Sequence, residues 1–100
     1  MEKHDIVLES LYRRMQDDLD DGMRMYWEAI KMKEHDEKEM ARFTMADAKS
    51  RMEHADIIKD KIETYKKANN MTGSSEYKTF YCYVIENIEE LKMKISKFTV

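Results

Sequence analysis

The residues best suited to chemistry lie in the segment Arg51-Met52-Glu53-His54-Ala55-Asp56. Positions three apart share one face of a helix, so a carboxylate three residues before a histidine can bind a metal ion together with it. Here Arg51 occupies that position before His54. Arginine is permanently charged and has no lone pair to give to a metal. The segment therefore keeps the spacing of a metal-binding helix but lacks its carboxylate ligand.

A second group of possible ligands is an acidic run that contains Asp17, Asp18, Asp20 and Asp21. Adjacent helical positions point in different directions, and calcium loops need glycine and an irregular backbone. Most of this run is therefore expected to be a solvated helix face. Asp18 differs because it is in line with Leu11 and Met25, on the flank that would meet a neighbouring helix. Asp18 and His54 are the weak candidates for a metal site.

The composition predicts an almost wholly helical, cytoplasmic protein that binds neither nucleic acid nor membrane. The 100 residues include no proline and only two glycines. The 18 basic residues are interleaved with 21 acidic ones at a net charge of −3, which leaves no basic face for nucleic acid. No apolar run approaches the roughly 18–20 residues of a membrane span, and the first residues do not resemble a signal peptide. The lone Cys82 excludes an intrachain disulfide and fits a reducing compartment.

Apolar residues alternate at spacings of three and four, and this predicts helices at about 5–33, 36–68 and 76–98. The short break near residue 35 makes the first two helices antiparallel, with Asp36 and Glu39 in the form of an N-terminal capping box. Gly22 costs about 1 kcal/mol relative to alanine, so either a neighbouring helix approaches closely there or the weak position is simply tolerated. The predicted fold is all-α and a single domain over 1–100, a long antiparallel hairpin plus a third helix.

The hairpin resembles the ferritin-like superfamily, bacterioferritin and rubrerythrin in particular, over roughly residues 8–66. The resemblance rests on two positions of the first helix and four of the second: Asp18, Tyr26, Met52, His54, Ala55 and Asp56. It implies half of a four-helix bundle whose complete form holds two metal ions. The family methionine that matches Met52 ligates haem between subunits. Short ferritin-like chains of this character also resemble products of Firmicutes and of their phages.

The departures from that family predict a protein without catalysis, metal or cofactor. Arg51 replaces the bridging glutamate, Asp18 is one methylene shorter than the family residue, and the third helix has no histidine for a second Glu-x-x-His. An unpaired buried charge costs several kcal/mol. We therefore expect Arg51 to form an ion pair with Asp18, or with Asp17 or Asp21, in place of the metal. The alternative is an arginine that extends into solvent.

Large apolar residues beside or off the three seams predict an interface. Methionine occurs ten times, and one three-helix core cannot enclose all the residues in question, among them Trp27, Phe43, Phe80, Tyr83, Met25 and Met40. Exposed strips rich in methionine and aromatic residues are typical of interfaces, although a core tolerant of methionine is the alternative.

The expected function is a non-catalytic oligomerisation or protein-binding module, which pairs with its own copy or with a protein partner. If it is phage-encoded, it would be a virion component or a small inhibitor of a host protein. The alternative is a degenerate ferritin-like protein that binds two metal ions, or haem through Met52. Metal analysis separates the two classes.

Overall fold

The computed structural model describes residues 3–70 and 75–100, with the side chains of the third helix described from residue 83 onward. It contains three α-helices: α1 (Lys3–Glu34), α2 (Lys38–Ala68) and α3 (Ser75–Ser96). No strand occurs in these described ranges. The predicted all-α fold, a long hairpin with a third helix against it, is confirmed, and its extents are 51 × 19 × 19 Å.

The turn between α1 and α2 differs from the predicted capping box. The N–H of Glu37 donates to the carbonyl of Met32 at 2.8 Å, and the N–H of Asp36 donates to the carbonyl of Lys33 at 3.1 Å. This pair of bonds is a Schellman motif, which ends a helix with one residue in the left-handed conformation. That residue is Asp36, with φ of 62°. The capping-box prediction is therefore wrong: Asp36 closes α1, and Glu37 precedes α2 without a side-chain capping bond.

The core is a continuous seam between α1 and α2, covered on one side by α3. Its largest fully buried side chains are Leu8, Met15, Leu19, Ile58, Ile62, Val84, Ile88 and Leu91. A smaller cluster near the turn joins Ala29, Met45 and Ala48, and Ile95 and Phe98 pack against it. Because Phe98 lies beyond the end of α3 at Ser96, its contact with this cluster fastens the end of the chain to the hairpin.

Gly22 lies where residues of all three helices meet. A Cβ atom on Gly22 would lie 3.2 Å from Cδ2 of Leu91, 3.4 Å from the carbonyl oxygen of Ala48 and 3.5 Å from Cβ of Arg51. The missing side chain thus lets α2 and α3 approach α1 at this level. Of the two explanations for Gly22, the structure favours close approach. The same approach brings the part of α2 that follows Arg51 against Asp18.

Candidate functional site: a buried Asp–His pair on the hairpin

The main polar site joins α1 and α2 through Asp18 and His54. Because α1 and α2 are antiparallel, Asp18, one helical turn before Gly22, lies against His54, about one turn after Arg51. There Nδ1 of His54 is hydrogen-bonded to Oδ2 of Asp18. An ionised carboxylate only accepts hydrogen bonds, so the Nδ1–H donates and Nε2 is left as the free ring nitrogen. Asp18 is 7% exposed, whereas the His54 side chain is half exposed.

Arg51 supplies a second positive group beside the same carboxylate. Its Nη1 lies 3.6 Å from Oδ1 of Asp18 and 4.0 Å from Oδ2 of Asp21. These separations permit an ion pair but are too long for a hydrogen bond. The predicted partners Arg51 and Asp18 thus lie side by side, with Asp21 as a second neighbour, while the direct hydrogen bond to Asp18 comes from His54.

His54 is the principal partner of Asp18, and the pattern of residues within α2 does not predict this. Within α2 alone, His54 falls at the edge of the apolar stripe, a position that indicates a boundary residue or a weak metal ligand. The signal that would have found it is the register of the hairpin. With the turn near residue 36, positions about equally far before and after it face each other, and Asp18 and His54 are such a pair.

The arrangement orients a ring and neutralises a buried acid. A carboxylate on Nδ1 fixes the tautomer and direction of an imidazole, as it does in zinc ligands and catalytic pairs. Among the described residues, no group of three or more His, Cys, Asp and Glu side chains is placed to hold a metal ion. Both oxygens of Asp18 already face His54 and Arg51. What this pair offers chemically is an imidazole ring that is held in a fixed direction and is half exposed.

A second charged cluster fastens α3 to α2. Nζ of Lys92 lies 2.9 Å from Oδ2 of Asp56, and Nζ of Lys59 lies 3.1 Å from Oδ1. Burial raises the pKa of Asp56, but the hydrogen bonds and positive charges of Lys92 and Lys59 outweigh it and bring that pKa below its usual 3.8. The hydrogen bond to Asp56 raises the pKa of Lys92 above its usual 10.5, against the lowering effect of burial. Asp56 therefore acts as a structural anion.

Met52, the residue that the haem alternative requires, lies in the core. It is 5% exposed and belongs to the same cluster as Leu19 and Ala55. Its thioether is thus packed between helices and is not presented at the surface of this chain.

Four of the six residues predicted for an interface are at least half exposed: Phe43 at 65%, Tyr83 at 61%, Trp27 at 52% and Met40 at 50%. Met25 is half buried against the small cluster near the turn. Phe80 lies outside the described side chains. The structure adds four exposed apolar residues that the sequence did not assign to the interface: Ile6, Ile57, Met93 and Val100.

Trp27 and Phe43 occupy different surroundings. Trp27 borders a water-sized cleft between α1 and α3, where Tyr26 meets its ring edge-on at 5.2 Å and Nζ of Lys94 lies 5.4 Å from its centroid. Phe43 has no such ring or cation partner in the described ranges. The most exposed aromatic side chain described is thus the one on the outer face of α2.

Fold and site together define a three-helix all-α protein in which a buried aspartate is hydrogen-bonded to a half-exposed histidine and several large apolar side chains are exposed. Comparison of the chain with known protein families, with characterised proteins and with solved structures gives no match. Among the described helices, none has the length and apolar character needed to cross a membrane.

Proposed function

We propose that the protein is a non-catalytic helical module that associates with another protein, its own copy first. The observation that carries this proposal is the exposure of Phe43, Ile57 and Trp27 on a chain whose core is already well packed. Exposed aromatic, methionine and branched side chains are what protein interfaces enrich and ordinary surfaces avoid.

The polar site supports a structural role more than a chemical one. Asp18 has His54 on one oxygen and the charge of Arg51 beside the other, so its partners compete with any metal for the carboxylate. In this proposal the hairpin descends from a ferritin-like half-bundle in which Arg51 has taken over the positive charge once supplied by metal. The support is that Asp18, Arg51 and His54 come together on one side of the hairpin, at the positions that the resemblance singles out.

The di-metal or haem alternative makes a different prediction about composition. Expression in medium supplemented with iron, zinc and manganese, followed by elemental analysis and a haem absorption spectrum, tests it. Metal near one or two equivalents per chain, or a haem shared between two chains, would overturn the non-catalytic proposal. Metal that survives Asp18→Ala and His54→Ala, or haem that survives Met52→Ala, would instead point to a purification tag or to another part of the chain.

Association is tested by light scattering coupled to size exclusion, which gives mass independently of the elongated shape. The mass is expected to rise above the 12.1 kDa of one chain as concentration increases. Phe43→Ser should weaken the association and leave helicity unchanged, whereas Ile6→Ser, at a similarly exposed site on α1, serves as the matched control. A mass of one chain at every concentration up to the solubility limit would refute self-association.

A further inference from the structure

The outer face of α2 carries a ridge of exposed residues at a constant spacing of seven, Phe43, Ser50, Ile57 and Thr64. A spacing of seven is close to two helical turns, so these side chains form one stripe along the helix. The ridge points away from both neighbours. Arg51 and His54 on one flank contact α1. Asp56 on the opposite flank contacts α3 through Lys92.

Each flank of the ridge carries an acid and a base towards its two ends, and on the flank nearer α3 the exposed Glu53 lies between them. Asp47 and Lys61 lie on the flank nearer α1, in line with Arg51 and His54. Lys49 and Asp60 lie on the flank nearer α3, in line with Asp56. The order along the chain is acid then base on the first flank, and base then acid on the second.

These four charged side chains form no close ion pair within the described part of the chain. Asp47, Asp60 and Lys61 form no ion pair in the described part of the chain. Lys49 has only a marginal contact with Glu53, at 3.9 Å. Pairs of that kind on a solvated helix contribute little to stability, so the pattern needs another explanation.

We infer that two copies of the chain pair through α2 in antiparallel orientation, about a two-fold axis near His54. This inference rests on the proposed function and adds the partner, the face and the register. When two helices meet face to face and antiparallel, each flank meets its own counterpart in reverse order. Asp47 then faces Lys61 of the second copy, because the two positions are equally far before and after His54. Lys49 and Asp60 of the second copy, which lie five residues before and six residues after His54, come opposite each other to within one residue.

The ridge fits this register as well as the flanks do. Ser50 and Ile57 lie on opposite sides of His54, so each exposed isoleucine packs over the small serine of the other copy. A parallel arrangement would instead set Phe43 against Phe43 and Ser50 against Ser50, which loses this packing of large against small side chains. It would also bring each flank against the opposite flank of the second copy, so the charge reversals below distinguish the two orientations. Arg42 and Lys67 also fall opposite each other at the two ends, which limits the length of the contact, and Glu53 approaches its own copy near the axis, which weakens it.

The contact is of modest size. The ridge from Phe43 to Thr64 spans about 32 Å at 1.5 Å per residue, and one helix per copy gives an interface at the low end of the specific range. We therefore expect dissociation in the micromolar range and a dimer that weakens with added salt.

Charge reversal tests the register. Asp47→Lys and Lys61→Asp, each alone, should raise the dimer dissociation constant in sedimentation equilibrium by about tenfold or more, because each creates two like-charge contacts. The double variant restores two acid–base contacts and should return the constant to within about threefold of the original. Positions 47 and 61 are about 21 Å apart along one helix, so only a contact between copies can produce this rescue.

Asp20→Lys, an exposed charge reversal on α1, is the matched control and should leave the dissociation constant unchanged. Circular dichroism confirms that each variant keeps its helices. Rescue by the double variant supports the inference. If neither single charge reversal changes the dissociation constant of the dimer, the proposed face and register are wrong, while the proposed function stands. A chain that is monomeric at all concentrations overturns both.

Discussion

Removing His54 should cost more stability than removing Arg51, although Arg51 carries the permanent charge. His54 makes the direct hydrogen bond to the buried carboxylate of Asp18, whereas Arg51 stays 3.6 Å away. Hydrogen bonds to charged groups contribute about 1.5–3 kcal/mol. Because the His54 side chain is half exposed, water replaces part of the bond, and we expect His54→Ala to cost about 1–2 kcal/mol. Arg51→Ala should cost under about 1 kcal/mol.

The assay is urea unfolding followed by circular dichroism at 222 nm, at neutral pH and at a concentration low enough to keep the chain monomeric. A double-mutant cycle between Asp18→Ala and His54→Ala isolates the pair, with an expected coupling of about 1–2 kcal/mol. The same cycle with Arg51→Ala should give under about 1 kcal/mol. Arg13→Ala, which removes an exposed pair with Glu9, is the control for losing a surface arginine.

The opposite ranking would refute this reasoning. If Arg51→Ala costs more than His54→Ala and couples more strongly to Asp18→Ala, the arginine is the principal partner of the buried acid. The site would then be the simple ion pair that the sequence suggested.

Three further outcomes follow from other parts of the chain. Asp36→Gly should raise the unfolding free energy by up to about 1 kcal/mol, and with it the urea midpoint, because the left-handed φ of 62° suits glycine and the Asp36 side chain is almost fully exposed. A lower midpoint would contradict the Schellman assignment. Gly22→Val should cost about 1–3 kcal/mol by overpacking against Leu91, measured in the same way, and an unchanged stability would show that the helices separate easily. The pKa of Asp56 is lower in the folded state, so its ion pair stabilises the protein above pH 3.8 and loses this effect as the pH falls through the folded-state pKa. The pKa of Lys92 is raised, so its contribution is complete below pH 10.5 and is lost as the pH rises through the folded-state pKa. The stability difference between the original chain and Lys92→Met should therefore shrink at both extremes, and a difference independent of pH would contradict the ion pair.

Most of the fold was predictable because apolar spacing and missing breakers act locally. The alternation of three and four places a seam on each helix, and a short break then forces two long helices to lie antiparallel. The details of the turn were not predictable in the same way. Asp36 resembles a capping residue in sequence, but the choice between opening α2 and closing α1 depends on which carbonyls of α1 its neighbours reach.

The sequence predicts the positions of the site residues within each helix, but not the contacts that they make with the other helix. The proximity of Arg51 to Asp18 follows from the hairpin, yet the hydrogen bond went to His54. Which of the two reaches the carboxylate depends on the spacing between helices, and Gly22 sets that spacing by admitting the backbone near Ala48. Periodicity within α2 carries no information about this distance.

His54 links the buried site to the proposed pairing face, and this link has a testable consequence. The hydrogen bond to Asp18 fixes the ring whose free edge would lie near the two-fold axis. Asp18→Ala should therefore weaken dimerisation several-fold as well as lower stability, because the freed ring loses its fixed direction. Arg51→Ala leaves that hydrogen bond intact and should change the dissociation constant little. The comparison is made by sedimentation equilibrium at a temperature where both variants are fully folded. If the two substitutions weaken the dimer equally, the ring of His54 has no special part in the contact, and the axis lies elsewhere on α2.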